Sequence, residues 1–164
     1  MGLEEKYAIA KTVSAIALGS NLSSSYGEPA ENLREAVRRL GALGDVTAVS
    51  SFYTTEPVGY LDQPDFVNAA ALLETSLSPL EVLHELLAIE HAMGRDRAKV
   101  PAKGPRVIDL DLLLFGDVVM QSEELTLPHP AMHERRFVLE PLAEIAPEMV
   151  HPRLGISVEE MFVG

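Results

Sequence analysis

The sequence predicts an α+β fold, with a ferredoxin-like antiparallel sheet and helices packed on one face of it. Two observations carry this prediction. Short apolar runs bounded by turn residues alternate with amphipathic stretches in the order β-α-β-β-α-β, followed by an added hairpin strand and an irregular C-terminal part. The chain of 164 residues, 47% of them hydrophobic, also has the size of one domain with a real core.

The first elements follow from apolar periodicity and turn residues. The run VSAIAL predicts a buried strand over residues 13–18, and the Gly-Ser-Asn after it predicts a turn. A helix is expected to begin near Pro29 and to end at Gly41, since apolar residues recur between them at helical spacing. Strands are predicted over residues 46–53 and 66–74, with a proline-containing loop between them.

The second half begins with a clear helix signal. Ser78 and Glu81 form a capping-box pattern around Pro79, and Gly94 predicts the end of the helix. The remaining predictions are two strands, joined as a hairpin by a Gly-Asp pair, and a stretch of short helix and loop with four prolines, at residues 107–115, 118–121 and 127–147.

Composition and charge restrict where the protein acts and on what. The formal net charge of −12 predicts repulsion from nucleic acid and anionic membranes, and no apolar run is long enough to span a bilayer. The absence of cysteine excludes disulfides and thiolate chemistry, and it fits a cytoplasmic protein. Residues 1–12 are expected to form a mobile N-terminal extension, and residues 13–164 a single domain.

Basic residues cluster in one segment of this acidic chain. Five of the 13 lysines and arginines fall within twelve positions, at Arg95, Arg97, Lys99, Lys103 and Arg106. One interpretation is a solvated basic loop. The other is a clamp for an anion that carries several charges, such as a triphosphate.

Two aspartates, Asp109 and Asp111, lie within an otherwise apolar predicted strand. Side chains alternate across a strand, so both carboxylates point to the same face, with Cα atoms about 6–7 Å apart. Such a pair can share hard cations with a phosphate chain. The alternative is a wet acidic face, and the basic segment just upstream favours the metal site.

Four other residues have more than one interpretation each. Glu90 lies on or beside the apolar face of its helix, as a rim charge, a partner of a nearby arginine or a functional group. His129, between two prolines, suits packing or a directed contact. Phe66 and Asn68 share one strand face, which suits either the core or a flat heteroaromatic ligand that needs stacking and hydrogen bonds.

Taken together, these segments resemble the 6-hydroxymethyl-7,8-dihydropterin pyrophosphokinase family of folate biosynthesis. The matching motifs run in family order: ALGSN at 17–21, SSFY at 50–53, DQPDFVNAA at 62–70, GPRVIDLD at 104–111 and LPHP at 127–130. The resemblance implies one catalytic domain over residues 13–164. It also implies transfer of pyrophosphate from ATP, with two Mg²⁺ ions, to the hydroxymethyl group of the pterin by a monomeric enzyme.

The resemblance also implies roles for individual residues. It implies a catalytic role for Arg95, Arg106, Asp109 and Asp111, of which the two aspartates bind metal. It implies contacts with ATP for Glu90, Arg97, Lys103, Leu112, Thr126, His129 and Arg135. It implies contacts with the pterin for Thr55, Val58, Phe66, Asn68 and Phe137.

Two other functions stay open on the residues alone. The first is a ferredoxin-like regulatory domain that binds a small molecule without turnover. The second is a nucleotidyl or phosphoryl transferase of the same fold with a different acceptor. The basic segment and the paired aspartates favour an enzyme over the regulatory domain.

Overall fold

The computed structural model describes residues 10–57, 62–94 and 105–164. Most of the predicted extension, residues 1–9, therefore lies outside the described residues. The first strand begins at Thr12, one residue earlier than predicted. In chain order the elements are β1 (Thr12–Ser20), α1 (Pro29–Leu40), β2 (Asp45–Val49), β3 (Tyr53–Thr55), β4 (Phe66–Thr75), α2 (Pro79–Ala92), β5 (Asp109–Phe115), β6 (Met120–Gln121), β7 (Thr126–Leu127), a 3-10 turn (Met132–Glu134), α3 (Arg136–Ile145) and α4 (Val158–Val163).

The main sheet is antiparallel, as the sequence predicted. Its strands run in the order β2-β4-β1-β5, with β3 also paired to β4, and every pairing is antiparallel. The helix signals are confirmed as well, since Pro29 opens α1 and both hydrogen bonds of the capping box are present between Ser78 and Glu81. The ferredoxin-like α+β plan is therefore confirmed.

The predicted strand over residues 46–53 is wrong as a single element, because it is divided into β2 and β3. Val49 pairs with Ala71 and Tyr53 with Asn68, so three residues on one side face two on the other and the ladder cannot continue. Ser50 takes up the interruption. Its hydroxyl accepts the Ala70 N–H at 2.9 Å, and its own N–H donates to the Ala70 carbonyl at 2.9 Å.

The predicted hairpin between residues 107–115 and 118–121 is also wrong. β6 pairs with β7 in a separate two-stranded sheet. Gly116 adopts a left-handed φ of 55°, and its N–H donates to the Val13 carbonyl at 2.9 Å, while Val118 donates to Phe115 O at 3.0 Å. This tight turn ends β5 against β1 and directs the chain away from the sheet.

Helices cover both faces of the sheet, and not one as predicted. Helices α1 and α2 pack on the face that carries Ile16, Leu18, Leu73 and Leu112. The expected irregular C-terminal part instead contains α3 and α4, which bury Leu139, Leu142, Val158 and Met161 against the opposite face. The four prolines between residues 127 and 147 led the sequence prediction away from a regular helix, but α3 forms with Pro141 inside it. No helix in the described segments is long and apolar enough to cross a bilayer.

Glu144 connects α3 to the segment at the interruption of the ladder, where β2 ends and β3 begins. Its carboxylate accepts hydrogen bonds from the Ser51 N–H at 2.9 Å, the Ser51 hydroxyl at 3.2 Å and the Tyr53 hydroxyl. The Tyr53 hydroxyl, followed by the Ser51 N–H, lowers the pKa of Glu144, and the same contact raises the pKa of Tyr53 to about 12. The charged form of Glu144 therefore stabilises the fold.

We predict that Glu144→Gln lowers the free energy of unfolding by about 1 kcal/mol at neutral pH, since the carboxylate is exposed and its bonds are partly screened. A lowered pKa means that this contribution is present above the ordinary value of 4.5 and is lost as the pH falls through the lowered pKa. Urea unfolding at neutral pH and at about pH 3.5 measures the difference. Glu148→Gln is the control, and an equal gap at both pH values would contradict the prediction.

Candidate active site

A cleft opens at one end of the sheet, on the face that carries α3. Its space amounts to about 770 Å³, including solvent at the mouth, which is within the range of small-molecule sites. Four neighbouring strands and the start of α3 contribute its walls, through Ala17, Leu18, Gly19, Thr55, Glu56, Phe66, Asn68, Arg106, Asp109, Asp111, Arg135 and Phe137. Residues far apart in the sequence therefore meet in one place.

The two aspartates lie on one face of β5, as strand alternation predicted. Asp109 pairs with Gly19 and Asp111 with Ala17, whereas Leu110 lies in the core on the other face. Arg106 contacts Asp109, with Nη1 3.1 Å from the carboxylate, and the two side chains are largely buried, at 12% and 22% exposed. This guanidinium offsets part of the repulsion between two nearby carboxylates.

These carboxylates have the donor chemistry of a magnesium site that is completed by the substrate. Among the described residues, no group of three or more His, Asp or Glu side chains is arranged to hold a metal ion. Mg²⁺ is commonly bound by one or two carboxylates together with substrate phosphates and water, and not by a complete protein cage. Asp109 and Asp111 fit that arrangement.

Aromatic and amide side chains form the opposite part of the cleft. The Arg106 guanidinium lies over the Phe66 ring, with its Cζ atom 5.5 Å from the ring centroid. The Arg135 guanidinium lies over the Phe137 ring in the same way, at 5.8 Å. The Asn68 amide donates to the Thr55 hydroxyl at 2.5 Å. Two aromatic rings next to a fixed amide suit a flat ligand with polar edges.

Gly19 keeps the space beside the Asn68 amide open, because it has no side chain. A Cβ atom at Gly19 would lie 3.1 Å from the Asn68 Oδ1 atom and 3.8 Å from the Phe66 ring. The bare backbone of β1 therefore forms the floor between the amide and the aspartates.

His129 lies beside β5, although it is not among the residues that line the cleft. Its backbone N–H donates to the Leu113 carbonyl at 2.9 Å, and its ring Nδ1 accepts the Ala131 N–H at 3.2 Å. In the neutral ring the proton is then on Nε2. Burial, followed by the nearby Arg135, lowers the pKa of His129, against the opposing effect of Asp109. The His129 ring is therefore neutral, and its Nε2–H is a hydrogen-bond donor with a fixed direction near Arg135 and Asp109.

Other residues with predicted roles lie away from the cleft walls. Thr126 is half-buried in β7, and Leu112 is buried in the core. Glu90 is 2% exposed, and its carboxylate accepts the Leu110 N–H at 2.8 Å. Four further predicted residues lie outside the described segments: Val58, Arg95, Arg97 and Lys103.

Asn21 is a residue for which the sequence predicted no role. Its amide nitrogen donates to the Gln63 side chain at 2.8 Å and to the Pro64 carbonyl at 2.9 Å, while its oxygen accepts the Arg106 N–H at 2.9 Å. It thus joins the segment before Phe66 to the residue that contacts Asp109. An asparagine at the exit of a buried strand was the available signal, but its partners are 42 to 85 residues away.

Comparison with known proteins agrees with this geometry. The profile of the 7,8-dihydro-6-hydroxymethylpterin-pyrophosphokinase (HPPK) family matches residues 15–147. The chain is 47% identical over 146 residues to a 2-amino-4-hydroxy-6-hydroxymethyldihydropteridine pyrophosphokinase of Haemophilus influenzae, covering 88% of each protein. It is 41% identical to the folic acid synthesis protein fol1 of Schizosaccharomyces pombe, of which it spans 20%.

A solved structure shows the same fold at low sequence identity. The Plasmodium falciparum HPPK-DHPS triple mutant with STZ-DHP superposes with a TM-score of 0.72 at 15% identity, covering 99% of this chain and 45% of that one. On the profile match and the identity to the Haemophilus influenzae protein, this chain belongs to the HPPK family.

Proposed function

We propose that this protein transfers the pyrophosphate of ATP to the hydroxymethyl group of 6-hydroxymethyl-7,8-dihydropterin, giving AMP and the pterin diphosphate for folate biosynthesis. One observation carries the proposal. Paired aspartates beside an arginine, suited to a metal-bound polyphosphate, share a cleft with two aromatic rings and a fixed amide, suited to a pterin.

The cofactor is Mg²⁺, and we propose two ions bound with ATP. Asp109 and Asp111 hold them, each from the same face of β5. When bound, the ions neutralise phosphate charge and align the reacting oxygens. Two carboxylates at this spacing leave most coordination positions to phosphate oxygens and water, which is typical of Mg²⁺ in phosphoryl transfer.

The chain's own part in the reaction is positioning and charge stabilisation. The pterin hydroxyl oxygen bonds to the β-phosphorus, the bond from that phosphorus to the α,β-bridging oxygen breaks, and the hydroxyl proton leaves to solvent. Arg106 and Arg135 donate to the phosphate oxygens, whose charge changes during the transfer. The Nε2–H of His129 is a further donor to ATP. We extend the phosphate contacts to Arg95, Arg97 and Lys103 on the family resemblance and the basic segment alone.

Substrate recognition is divided between two parts of the site. Phe66 and Phe137 stack on the two faces of the pterin ring, and Asn68 reads its edge by hydrogen bonds. The backbones of Thr55 and Val58 complete the pterin contacts. The adenine is held by residues of β5 and β7, namely the Leu112 backbone and Thr126.

The regulatory alternative has no support from the family, whose relatives are named as pyrophosphokinases. The decisive assay measures AMP released from ATP and Mg²⁺ with 6-hydroxymethyl-7,8-dihydropterin, and with other hydroxyl acceptors in its place. Release of AMP with the pterin, and not with the other acceptors, supports the proposal. A folded protein that releases no AMP contradicts it. A monomeric state and a cytoplasmic location remain predictions from the sequence.

We predict that Asp111→Ala lowers turnover by at least about a thousandfold, because one metal ligand contributes several kcal/mol of charge stabilisation. The melting temperature should change little, since Asp111 faces the cleft and does not pack in the core. Asp117→Ala removes an exposed aspartate just beyond β5 and serves as the control. A near-normal rate in Asp111→Ala would show that the metal is held elsewhere.

Arg106→Ala is expected to slow kcat by about a hundredfold, as for loss of one transition-state donor, while the pterin Kd changes by less than about threefold. Arg106→Lys keeps the charge without the planar fork, and it should recover only part of the rate. Single-turnover kinetics and pterin titration separate the two quantities. Equal losses of rate and binding would argue against a transition-state role.

Asn68→Ala is expected to weaken pterin binding by about ten- to a hundredfold, because it removes hydrogen bonds to the ring edge. Affinity for a non-hydrolysable ATP analogue should stay near wild type. Thr54→Ala, an exposed change on the neighbouring strand, is the control. If the two ligands lost affinity together, Asn68 would act on the whole cleft and not on the pterin.

A further inference from the structure

Glu90 is a buried acidic residue for which the cleft itself supplies no explanation. It lies in the last turn of α2, four residues after the buried Leu86, on the same helix face as Val82. Its exposure is 2%, and it is not among the residues that line the cleft. Burying a carboxylate on an apolar helix face is costly unless hydrogen bonds hold it, so its position requires a reason.

The Glu90 carboxylate holds the peptide that joins the two aspartates. Its Oε2 atom accepts the Leu110 N–H at 2.8 Å, and Leu110 is the one residue between Asp109 and Asp111. In the described sheet β5 is an outer strand, paired along one side with β1. The bond from α2 therefore fixes a backbone group of an edge strand at the point where the carboxylates project.

We propose that Glu90 is a positioning residue that sets the direction of both metal-binding carboxylates through the Leu110 peptide. The inference rests on the proposed function, because it assumes that Asp109 and Asp111 bind Mg²⁺ with ATP. The two aspartates are held from β1 through their pairing with Gly19 and Ala17, and Glu90 holds the peptide between them from the other side. Groups that orient metal ligands in this way typically contribute about ten- to a hundredfold to metal affinity.

This role differs from a direct contact with ATP and from a purely structural one. A direct contact would make the charge of Glu90 essential, so that glutamine would fail as completely as alanine. A structural role would lower stability without changing the metal site. Positioning requires an acceptor oxygen at this place, which glutamine retains and alanine lacks.

Hydrogen exchange at the Leu110 amide tests the bond directly in metal-free protein. Glu90→Ala should speed that exchange by about tenfold, and Glu90→Gln by less than about threefold. Ser14→Ala is the matched control, since it removes another buried bond of the sheet, from the Ser14 hydroxyl to Leu73 O at 2.9 Å. It should leave exchange at Leu110 unchanged.

Binding of Mn²⁺ with a non-hydrolysable ATP analogue, followed by electron paramagnetic resonance, tests the consequence. Affinity should fall by about ten- to a hundredfold in Glu90→Ala and by less than about fivefold in Glu90→Gln. The Ser14→Ala protein should bind as wild type. In the AMP assay, KM for MgATP should rise more than KM for the pterin in Glu90→Ala.

Wild-type Leu110 exchange and Mn²⁺ affinity in Glu90→Ala would overturn the inference, as would equal losses in the alanine and glutamine variants. If Glu90→Ala does not fold, the inference is judged on Glu90→Gln and on exchange at Leu110 in the wild type. A wild-type Leu110 amide that exchanges as fast as an edge-strand amide without a hydrogen bond would overturn the inference. A wild type that binds Mn²⁺ but releases no AMP would contradict the proposed function, while the exchange and Mn²⁺ measurements would still judge Glu90.

Discussion

The register of β1 with its two neighbours is the constraint on which the site depends. Gly19 pairs with Asn68 on β4 and with Asp109 on β5, so the Asn68 amide and the aspartate pair that we propose to bind metal flank one bare residue. A slip of one residue between β5 and β1 would turn Leu110 towards the cleft, and Asp109 and Asp111 into the core beneath α1 and α2. Apolar packing on both faces of the sheet resists that slip, so the two cores that stabilise the fold also set the geometry of the cleft.

A few long-range polar contacts hold the segments that the sheet alone does not order. Asn21 joins the end of β1 to the backbone of Arg106, and Glu144 joins α3, which carries Phe137, to β3, which carries Thr55. Glu90 does the same for β5 from α2. Each contact links the ends of different elements, where backbone groups lack regular partners and small displacements would move a site residue. The site is thus preorganised from outside the cleft.

Local patterns in the sequence were sufficient for most of the sheet and part of the site. The capping box at Ser78, the antiparallel sheet and the shared face of Asp109 and Asp111 all follow from short-range periodicity and turn chemistry. The errors arose where tertiary contacts override local signals. The Gly-Asp pair after β5 resembles a hairpin turn, but Gly116 bonds to Val13 and β6 pairs elsewhere. Likewise, α3 forms despite Pro141, because its apolar face is buried on the sheet. The partners of Asn21 and Glu144 are too distant in sequence for any periodicity to reveal.

The charge of the whole chain does not prevent this site from binding a polyanion, because electrostatic effects here are local. A net charge of −12 opposes ATP at long range, but salt screens exposed charges beyond about 8 Å at physiological ionic strength. Arg106 and Arg135 line the cleft together with the aspartates. Without metal, Arg106 compensates the charge of Asp109 at 3.1 Å, which limits the repulsion between Asp109 and Asp111 in the partly buried cleft. In the proposed function, metal and ATP together would supply the opposite charges that the carboxylates and the guanidinium each require. On that proposal, the same residues that compensate one another in the ligand-free cleft would also make it selective for a metal-bound polyphosphate.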